Sequence, residues 1–427
     1  MKQNKDEQTP HSADALVTEA ADTTQTNDAA TIASQPPTAV PSRKKKTCRR
    51  KKALWISLLV LLAALLILLV WFFFIYAPKT DDAVPVRGDV RDKYVTPKSD
   101  GNAAQDDTAA PTITDTARKK GVYNFLLVGV DKLASLSDVM MLAQFDTVQK
   151  KVNVVQIPRD TYFFNGYYGT KLNSYFASAY RTAAAGGDAD AYSSAVHALK
   201  EFYESALCVK IDYCLCVDTA GFRDVIDAIG GVDFNVPMDM HYEDPEQGLY
   251  IHLNAGYQHL DGDKAEQFVR YRAGYAEGDI GRLNAQKRFL TAAAYQLQDR
   301  MSLQTLVDLS GVVLEYMTTD LNVAEAAYFA KEAYSVTKAD ISFVTLPGAA
   351  TWSDSMSVYV LYKENVRRLV NSCLNVYHTE ITDELLDPYG YFTNPYDSEI
   401  QYYYMSDYVE DAAVPVTAEA LSEEAIQ

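Results

Sequence analysis

The region from about residue 121 to residue 378 alternates short apolar runs with amphipathic stretches. Apolar runs at 123–130, 139–147 and 151–158 predict three buried strands. The polar link VQK between the last two runs predicts a hairpin. Strand-like and helical segments interleave further along the chain, so we expect an α/β or α+β sandwich with a mixed sheet.

The later segments of this region carry clearer helical signals. A strand at 211–218 leads into a helix over 219–229, which the glycine pair at 230–231 ends before a strand at 232–237. The amphipathic pattern over 280–298 predicts a long helix, because Leu283, Leu290, Ala294 and Leu297 share one stripe. Composition predicts further helices at 191–206, 261–271, 303–317 and 322–338.

Residues 53–77 are 25 consecutive residues without a charged side chain. At about 1.5 Å per residue, a helix of this length crosses a hydrocarbon core of about 30 Å. A cleaved signal peptide is the alternative, but its apolar region is shorter and does not begin after 52 residues. Eight Lys and Arg residues at 43–52 precede the run and place that side in the cytoplasm. We therefore predict a single-pass membrane protein whose C-terminal domain is extracellular.

The segments around the span and the domain differ in composition. The composition of residues 1–52 predicts a disordered cytoplasmic tail. The composition of residues 78–120 predicts an extracellular stalk. Residues 121–378 provide one domain. Residues 379–427 hold twelve acidic and no basic residues and predict a peripheral or disordered tail, although its tyrosines could pack on the domain.

The net charge of −18 argues against a nucleic-acid partner, because proteins that bind nucleic acids neutralise the phosphates with basic side chains. The chain has five cysteines and no CxxC pair, which excludes a zinc module built on CxxC pairs. Five cysteines are also too few for a disulfide-dense scaffold. The sequence leaves open whether Cys208 or Cys373 forms a disulfide.

Two carboxylates follow the first predicted strand. Asp131 ends this strand, and Asp138 opens the next one. Ligands collect at strand ends in α/β sheets, so the pair could hold a hard divalent cation. Each aspartate taken singly is also common as a turn or cap residue.

Arginines gather in two later motifs. Arg159 follows Pro158 in IPRDTY and offers a planar fork for phosphate, although a salt bridge to an aspartate explains it equally well. Arg282 and Gln286 are spaced i, i+4 and share one helix face. Arg270 and Arg272 can serve one site only if their helix ends near residue 269. We expect a phosphate site here, whereas a solvated basic helix is the alternative.

Over about 121–350 the chain carries, in this order, the motifs FLLVGVD, SDVMMLAQFD, VQIPRDTYF, KLNSYFASAY, FRDVIDAIGGVDFNVP, AGYQHLDGDKAEQFVRYR, GDIGRLNAQKRFL and VTLPG. This order of motifs resembles the LytR-CpsA-Psr family of bacterial cell-wall proteins. The resemblance implies an α-β-α sandwich with a mixed central sheet that encloses an apolar pocket for a polyprenyl tail. It also implies transfer of a glycopolymer, such as teichoic acid or capsule, from a polyprenyl pyrophosphate carrier to a peptidoglycan hydroxyl.

Site roles follow from the same resemblance. It implies that Asp131 and Asp138 bind Mg²⁺ and that these two residues and Arg159 are catalytic. It implies that the pyrophosphate is bound by a set of basic and amide side chains: Arg159, Arg270, Arg272, Arg282 and Gln286. Positioned positive charge and a metal ion are what phosphoryl transfer requires.

Two positions depart from the family pattern. Leu136 and Phe163 stand where the family usually carries arginines, and both charges would have faced the pyrophosphate. We therefore keep two alternatives to the transferase: a non-catalytic regulator or scaffold that binds polyprenyl-linked glycans, and a polyprenyl pyrophosphatase that uses water as acceptor.

Overall fold

The computed structural model describes residues 57–65, 67–68, 76–80, 89–90, 117–131, 136–245, 248–275 and 278–406. The chain divides into two compact units, Met1–Leu69 and Val70–Gln427. Residues 57–65 of the first unit are helical. Within the described ranges, no helix is both long and apolar enough to cross a membrane. The predicted span at 53–77 lies partly outside those ranges and stays a prediction, as do the tail at 1–52 and most of the stalk.

A mixed six-stranded sheet forms the centre of the second unit, whose elements we number separately. Its order is β11-β6-β1-β2-β3-β12. Strands β1, β2 and β3 form an antiparallel meander, while β6 pairs parallel with β1 and β12 pairs parallel with β3. The carboxyl ends of β1, β3, β6 and β12 therefore lie along one edge. The sheet strands are β1 (Val122–Asp131), β2 (Leu136–Asp146), β3 (Lys151–Ile157), β6 (Tyr213–Asp218), β11 (Met317–Thr319) and β12 (Ile341–Thr345).

Helices cover the sheet because side chains alternate between its two faces. Leu126 and Val128 belong to the core on one face, beside α1 and α2, whereas Tyr123 and Phe125 contact Phe329 of α7 on the other. The helices are α1 (Leu172–Ala185), α2 (Ala191–Leu207), α3 (Thr219–Ala228), α4 (Gly262–Arg270), α5 (Asp279–Asp299), α6 (Leu303–Tyr316), α7 (Val323–Ala333), α8 (Lys363–Cys373) and α9 (Ser398–Tyr404), with a 3₁₀ turn at Lys338–Asp340.

Four antiparallel two-stranded sheets complete the unit. The pair β7 and β10 and the hairpin of β8 and β9 contribute to a separate apolar core with α3, α4 and α5. Their strands are β4 (Tyr162–Phe164) with β5 (Gly169–Lys171), β7 (Val232–Val236) with β10 (Gly256–Leu260), β8 (Met240–Asp244) with β9 (Leu249–Leu253), and β13 (Gly348–Ser353) with β14 (Met356–Leu361).

The strands and helices predicted from the sequence are confirmed to within a few residues at each end, except that the helix predicted at 322–338 ends at Ala333. The α/β class and the mixed central sheet are confirmed as well. The cysteine question is also answered for the described residues, where Cys208, Cys214, Cys216 and Cys373 form no disulfide.

The predicted domain boundary at residue 378 does not separate two parts of the structure. Tyr391, Phe392, Ile400 and Tyr404 are buried in the same core as β1 and α2. Asp387 lies among them, where its carboxylate accepts hydrogen bonds from the backbone N–H of Tyr391 and from the Tyr404 hydroxyl. Residues 379–406 thus pack on the domain despite their acidic composition, because their aromatic side chains supply apolar area. Residues 407–427 lie outside the described ranges.

Candidate functional site

A cavity of about 600 Å³ opens at the edge where the parallel strands end. Its floor is the sheet, with Leu127, Met141 and Leu215 from three adjacent strands. Apolar side chains of α3, α5 and α6 form its walls, and charged side chains stand among the other lining residues. The lining charges are Asp138, Asp218, Asp244, Glu266, Arg270, Arg272 and Arg282. The cavity therefore combines a large apolar lining with four carboxylates and three arginines.

A β-bulge presents Asp138 at this edge. Gly129 pairs with Val139 and Val130 pairs with Ser137, so Asp138 has no partner in the ladder. Bulges of this kind redirect side chains near functional sites. Asp131 pairs through its backbone with Leu136, so the two aspartates predicted to bind metal are close in the strand pair. The side chain of Asp131 lies outside the described part of the chain, and its role stays a prediction.

Arg159 is held by a tight turn directly after β3. The backbone N–H and the hydroxyl of Thr161 both bond to the carbonyl of Pro158, which curls the chain around the arginine. The Arg159 Nη1 atom donates to Asp138 Oδ1 at 2.7 Å, and its Nε lies 3.5 Å from Asp160 Oδ1. The salt bridge considered from the sequence is therefore present. It also brings the guanidinium beside a carboxylate that lines the cavity.

The end of helix α4 brings Arg270 and Arg272 to the same cavity. The helix ends at Arg270, and Tyr271 is extended with φ −63° and ψ 131°. This break confirms the condition under which both arginines can serve one site. Arg272 Nη2 lies 3.3 Å from Asp138 Oδ1, and Arg270 Nη1 lies 3.0 Å from Glu266 Oε1.

Arg282 and Gln286 face the cavity from successive turns of α5, and both are at least 95% buried. Gln286 Nε2 donates to the carbonyl of Val269, which anchors the last turn of α4 beside α5. Gln286 Oε1 is buried and makes no hydrogen bond within the described residues. A pyrophosphate oxygen is an acceptor, so only the second Nε2 hydrogen could bind it. Oε1 is suited to a hydroxyl or a water molecule.

Glu266, Asp244 and Tyr242 lie at the site and were not singled out from the sequence. Glu266 lines the cavity and contacts Arg270 and also Arg223, whose Nη1 lies 3.3 Å from Glu266 Oε2. Its i, i+4 spacing to Arg270 is a signal that could have identified it. Asp244 and Tyr242 line the cavity from the hairpin of β8 and β9, and no sequence motif marks them.

Phe163 does not lie where the family resemblance implies. Its side chain is 1% exposed and packs against the rings of Tyr175, Phe202 and Tyr391 in the core. It does not line the cavity. The expectation that a charge at position 163 would face the pyrophosphate is therefore wrong for this chain, because the C-terminal segment encloses the position. The side chain of Leu136 lies outside the described residues.

Burial shifts two titratable groups near the arginines of α5. It raises the pKa of Tyr275 to about 12, against the opposing effect of Arg282, and the phenol stays protonated at neutral pH. Burial also lowers the pKa of Lys287, and the charge of Arg288 adds to this effect.

Metal ligands are sparse among the described side chains, where no three His, Cys, Asp or Glu residues form a ready metal-binding group. Asp138 nevertheless suits Mg²⁺, which is usually bound by one or two carboxylates together with substrate phosphates. Both arginine contacts of Asp138 use Oδ1. Its Oδ2 and the adjacent Asp131 position are the candidates to hold the ion.

Comparisons with known proteins identify the family of this chain and several relatives. The model of the LytR_cpsA_psr family matches residues 92–373. The chain is 25% identical over 247 residues to the polyisoprenyl-teichoic acid–peptidoglycan teichoic acid transferase TagV of Bacillus subtilis, covering 56% of this chain and 60% of TagV. It is 30% identical over 208 residues to the transferase TagU of Bacillus cereus, covering 48% of this chain and 62% of TagU.

A third relative carries a different description. The regulatory protein MsrR of Staphylococcus aureus is 26% identical over 210 residues, which cover 48% of this chain and 58% of MsrR. The matches thus span about three fifths of each relative. Among solved structures, the crystal structure of Bacillus subtilis TagV matches with a TM-score of 0.47 and 23% identity over 60% of this chain and 96% of that one.

Proposed function

Because the chain belongs to the LytR_cpsA_psr family, we propose that it transfers a glycopolymer from a polyprenyl pyrophosphate carrier to peptidoglycan. The observation that carries this proposal is the apolar cavity whose lining includes Arg270, Arg272 and Arg282. A polyprenyl pyrophosphate has the matching chemistry, since its tail is apolar and its head carries negative charge. The uncharged run at 53–77 would anchor the domain at the membrane that holds such a carrier.

The arrangement suits transfer of a phosphoryl-linked group. A sugar hydroxyl of peptidoglycan attacks the phosphorus that bears the glycopolymer, a P–O bond forms, and the P–O bond to the polyprenyl phosphate breaks. The hydroxyl loses its proton to a base, and polyprenyl phosphate leaves. Arginines around the pyrophosphate stabilise the charge that develops on its oxygens. Asp138 aligns Arg159 and Arg272 for this task through its 2.7 Å and 3.3 Å contacts.

The proposal includes Mg²⁺ at Asp138 and Asp131. When bound, the ion would neutralise charge on the pyrophosphate oxygens. Arg159 and Arg272, which both contact Asp138, would add further positive charge to the binding of the donor head.

One incubation separates this function from its alternatives. The full-length protein in lipid nanodiscs receives a polyprenyl pyrophosphate-linked glycan, Mg²⁺ and peptidoglycan. A phosphodiester-linked glycan on peptidoglycan supports the transferase. Release of polyprenyl phosphate without linkage indicates a pyrophosphatase, and binding without turnover indicates the regulator that the similarity to MsrR favours. Either of the latter outcomes would overturn the proposal.

A further inference from the structure

The hairpin of β8 and β9 carries two histidines and a glutamate on the face turned away from the cavity. Ile251 and Leu253 are buried on the inner face, where Tyr242 and Asp244 also line the cavity. Along each strand, the residues between these inward-facing positions point to the outer face. On that outer face His241 and His252 are directly opposite each other in the antiparallel register, and Glu243 is the next outward residue of β8.

The spacing of these side chains is close to that of metal ligands. The rings of His241 and His252 have centroids 6.0 Å apart. His252 Nε2 lies 3.2 Å from Glu243 Oε1. In a tetrahedral zinc site with bonds of about 2.0 Å, neighbouring ligand atoms are separated by about 3.2–3.4 Å. The histidine and the carboxylate therefore already span one edge of such a tetrahedron.

The second histidine needs only a small movement. Two imidazole rings on one tetrahedral ion have centroids about 5 Å apart. His241 must therefore approach His252 by about 1 Å, which rotation of its exposed side chain allows. This movement is required because the described residues contain no group of three ligands that already converges. His252 is 55% exposed and Glu243 is 58% exposed, so an ion can reach them from solvent.

We propose that His241, His252 and Glu243 bind one divalent transition metal ion of the zinc class, with water as a fourth ligand. Two neutral imidazoles and one carboxylate are a ligand set that zinc accepts in sites with an open position. The ion would cross-link two strands whose opposite face contributes Tyr242 and Asp244 to the cavity. This site is independent of the proposed transfer reaction and of the Mg²⁺ expected at Asp138.

The test measures metal binding directly. The full-length protein, purified in detergent without a histidine tag, is titrated with Zn²⁺ against a chromogenic chelator in excess Mg²⁺. The Mg²⁺ occupies carboxylate sites that prefer hard cations. The same titration is made on His241→Ala, His252→Ala and Glu243→Gln, and on His197→Ala as a matched control. His197 is an exposed histidine on α2, away from the hairpin.

We expect the wild type and His197→Ala to bind one Zn²⁺ more than either hairpin histidine variant, or to bind it at least tenfold more tightly. Glu243→Gln should weaken binding by a smaller factor, because the amide keeps an oxygen but loses the charge. Co²⁺ should give visible d–d absorption typical of tetrahedral coordination in the wild type and lose it in His241→Ala. Equal stoichiometry and affinity in the wild type and both histidine variants would overturn the proposal. Thermal unfolding confirms that every variant compared is folded.

Discussion

The side chains that α5 contributes to the cavity change from charged to apolar along the helix. This change predicts where the tail of a lipid substrate lies. Arg282, Gln286 and Leu290 all line the cavity from successive turns. Eight residues separate the first from the last, which is about 12 Å of helix. Under the proposed function, a substrate whose anionic head contacts Arg282 would extend its tail past Leu290. The substitution Leu290→Trp narrows the cavity at that point and leaves the charged residues in place.

The size of the effect follows from the tail that is displaced. Each methylene removed from water contributes about 0.8 kcal/mol, so excluding one five-carbon prenyl unit costs up to about 4 kcal/mol before ordering is considered. Ordering of the tail reduces this figure, and we expect a loss of at least tenfold in affinity, about 1.4 kcal/mol. Inorganic pyrophosphate has no tail and should bind equally to both proteins.

The assay compares dissociation constants of undecaprenyl pyrophosphate and inorganic pyrophosphate for full-length protein in nanodiscs. Leu290→Met serves as the control, because it conserves volume and apolar character at the same position. Unchanged binding of the long-chain lipid to Leu290→Trp would show that the tail does not occupy this cavity. An equal loss for both ligands would show that the substitution disturbs the charged residues instead.

Three further outcomes are expected. Arg272→Ala should weaken pyrophosphate binding by about 1.5–3 kcal/mol in calorimetry. It should leave the melting temperature unchanged, because the Arg272 side chain is 56% exposed. A lower melting temperature with intact binding would contradict this prediction. Phe163→Arg should lower the free energy of unfolding in urea by about 3–5 kcal/mol, since it places an unpaired charge in an aromatic core. A stable variant that binds pyrophosphate more tightly would contradict this, because the arginine would then make the donor contact that the resemblance implies. Burial raises the pKa of Asp387 to about 6, so the folded state holds this proton more tightly than the unfolded chain. Stability should therefore fall as pH rises from about 4 to about 6, by up to about 3 kcal/mol, and the fall should be smaller in Asp387→Asn; equal pH dependence in both proteins would refute this assignment.

The sequence was informative wherever one local pattern determined the structure. Apolar runs predicted β1, β2 and β3, and the glycine pair at 230–231 marked the end of α3. The spacing of Arg282 and Gln286 placed both on one face of α5, where they line the cavity together. These features depend on the periodicity of a helix or strand and on backbone preferences, which neighbouring residues alone decide.

Other features depend on contacts between distant parts of the chain. The bulge that presents Asp138 arises from the register between β1 and β2, which no single strand encodes. The acidic composition of residues 379–427 indicated a peripheral or disordered tail, with packing of its tyrosines on the domain as the alternative. The burial of Tyr391 follows from tertiary packing against Phe202 and Phe163, both more than 180 residues away in sequence. Position 163 illustrates the consequence, because a motif comparison assigns it a charge that its three-dimensional surroundings exclude.

The C-terminal segment also changes how the departure at position 163 bears on catalysis. If Phe163 had lined the cavity, its apolar side chain would have lowered the positive potential around the donor. Because Tyr391 stacks on it within the core, the residue leaves the field in the cavity unaffected and instead secures the segment that follows α8. The loss of a second arginine is therefore no argument against a transferase in this chain. The proposed function therefore assigns donor binding to the arginines that line the cavity, together with Arg159 beside Asp138.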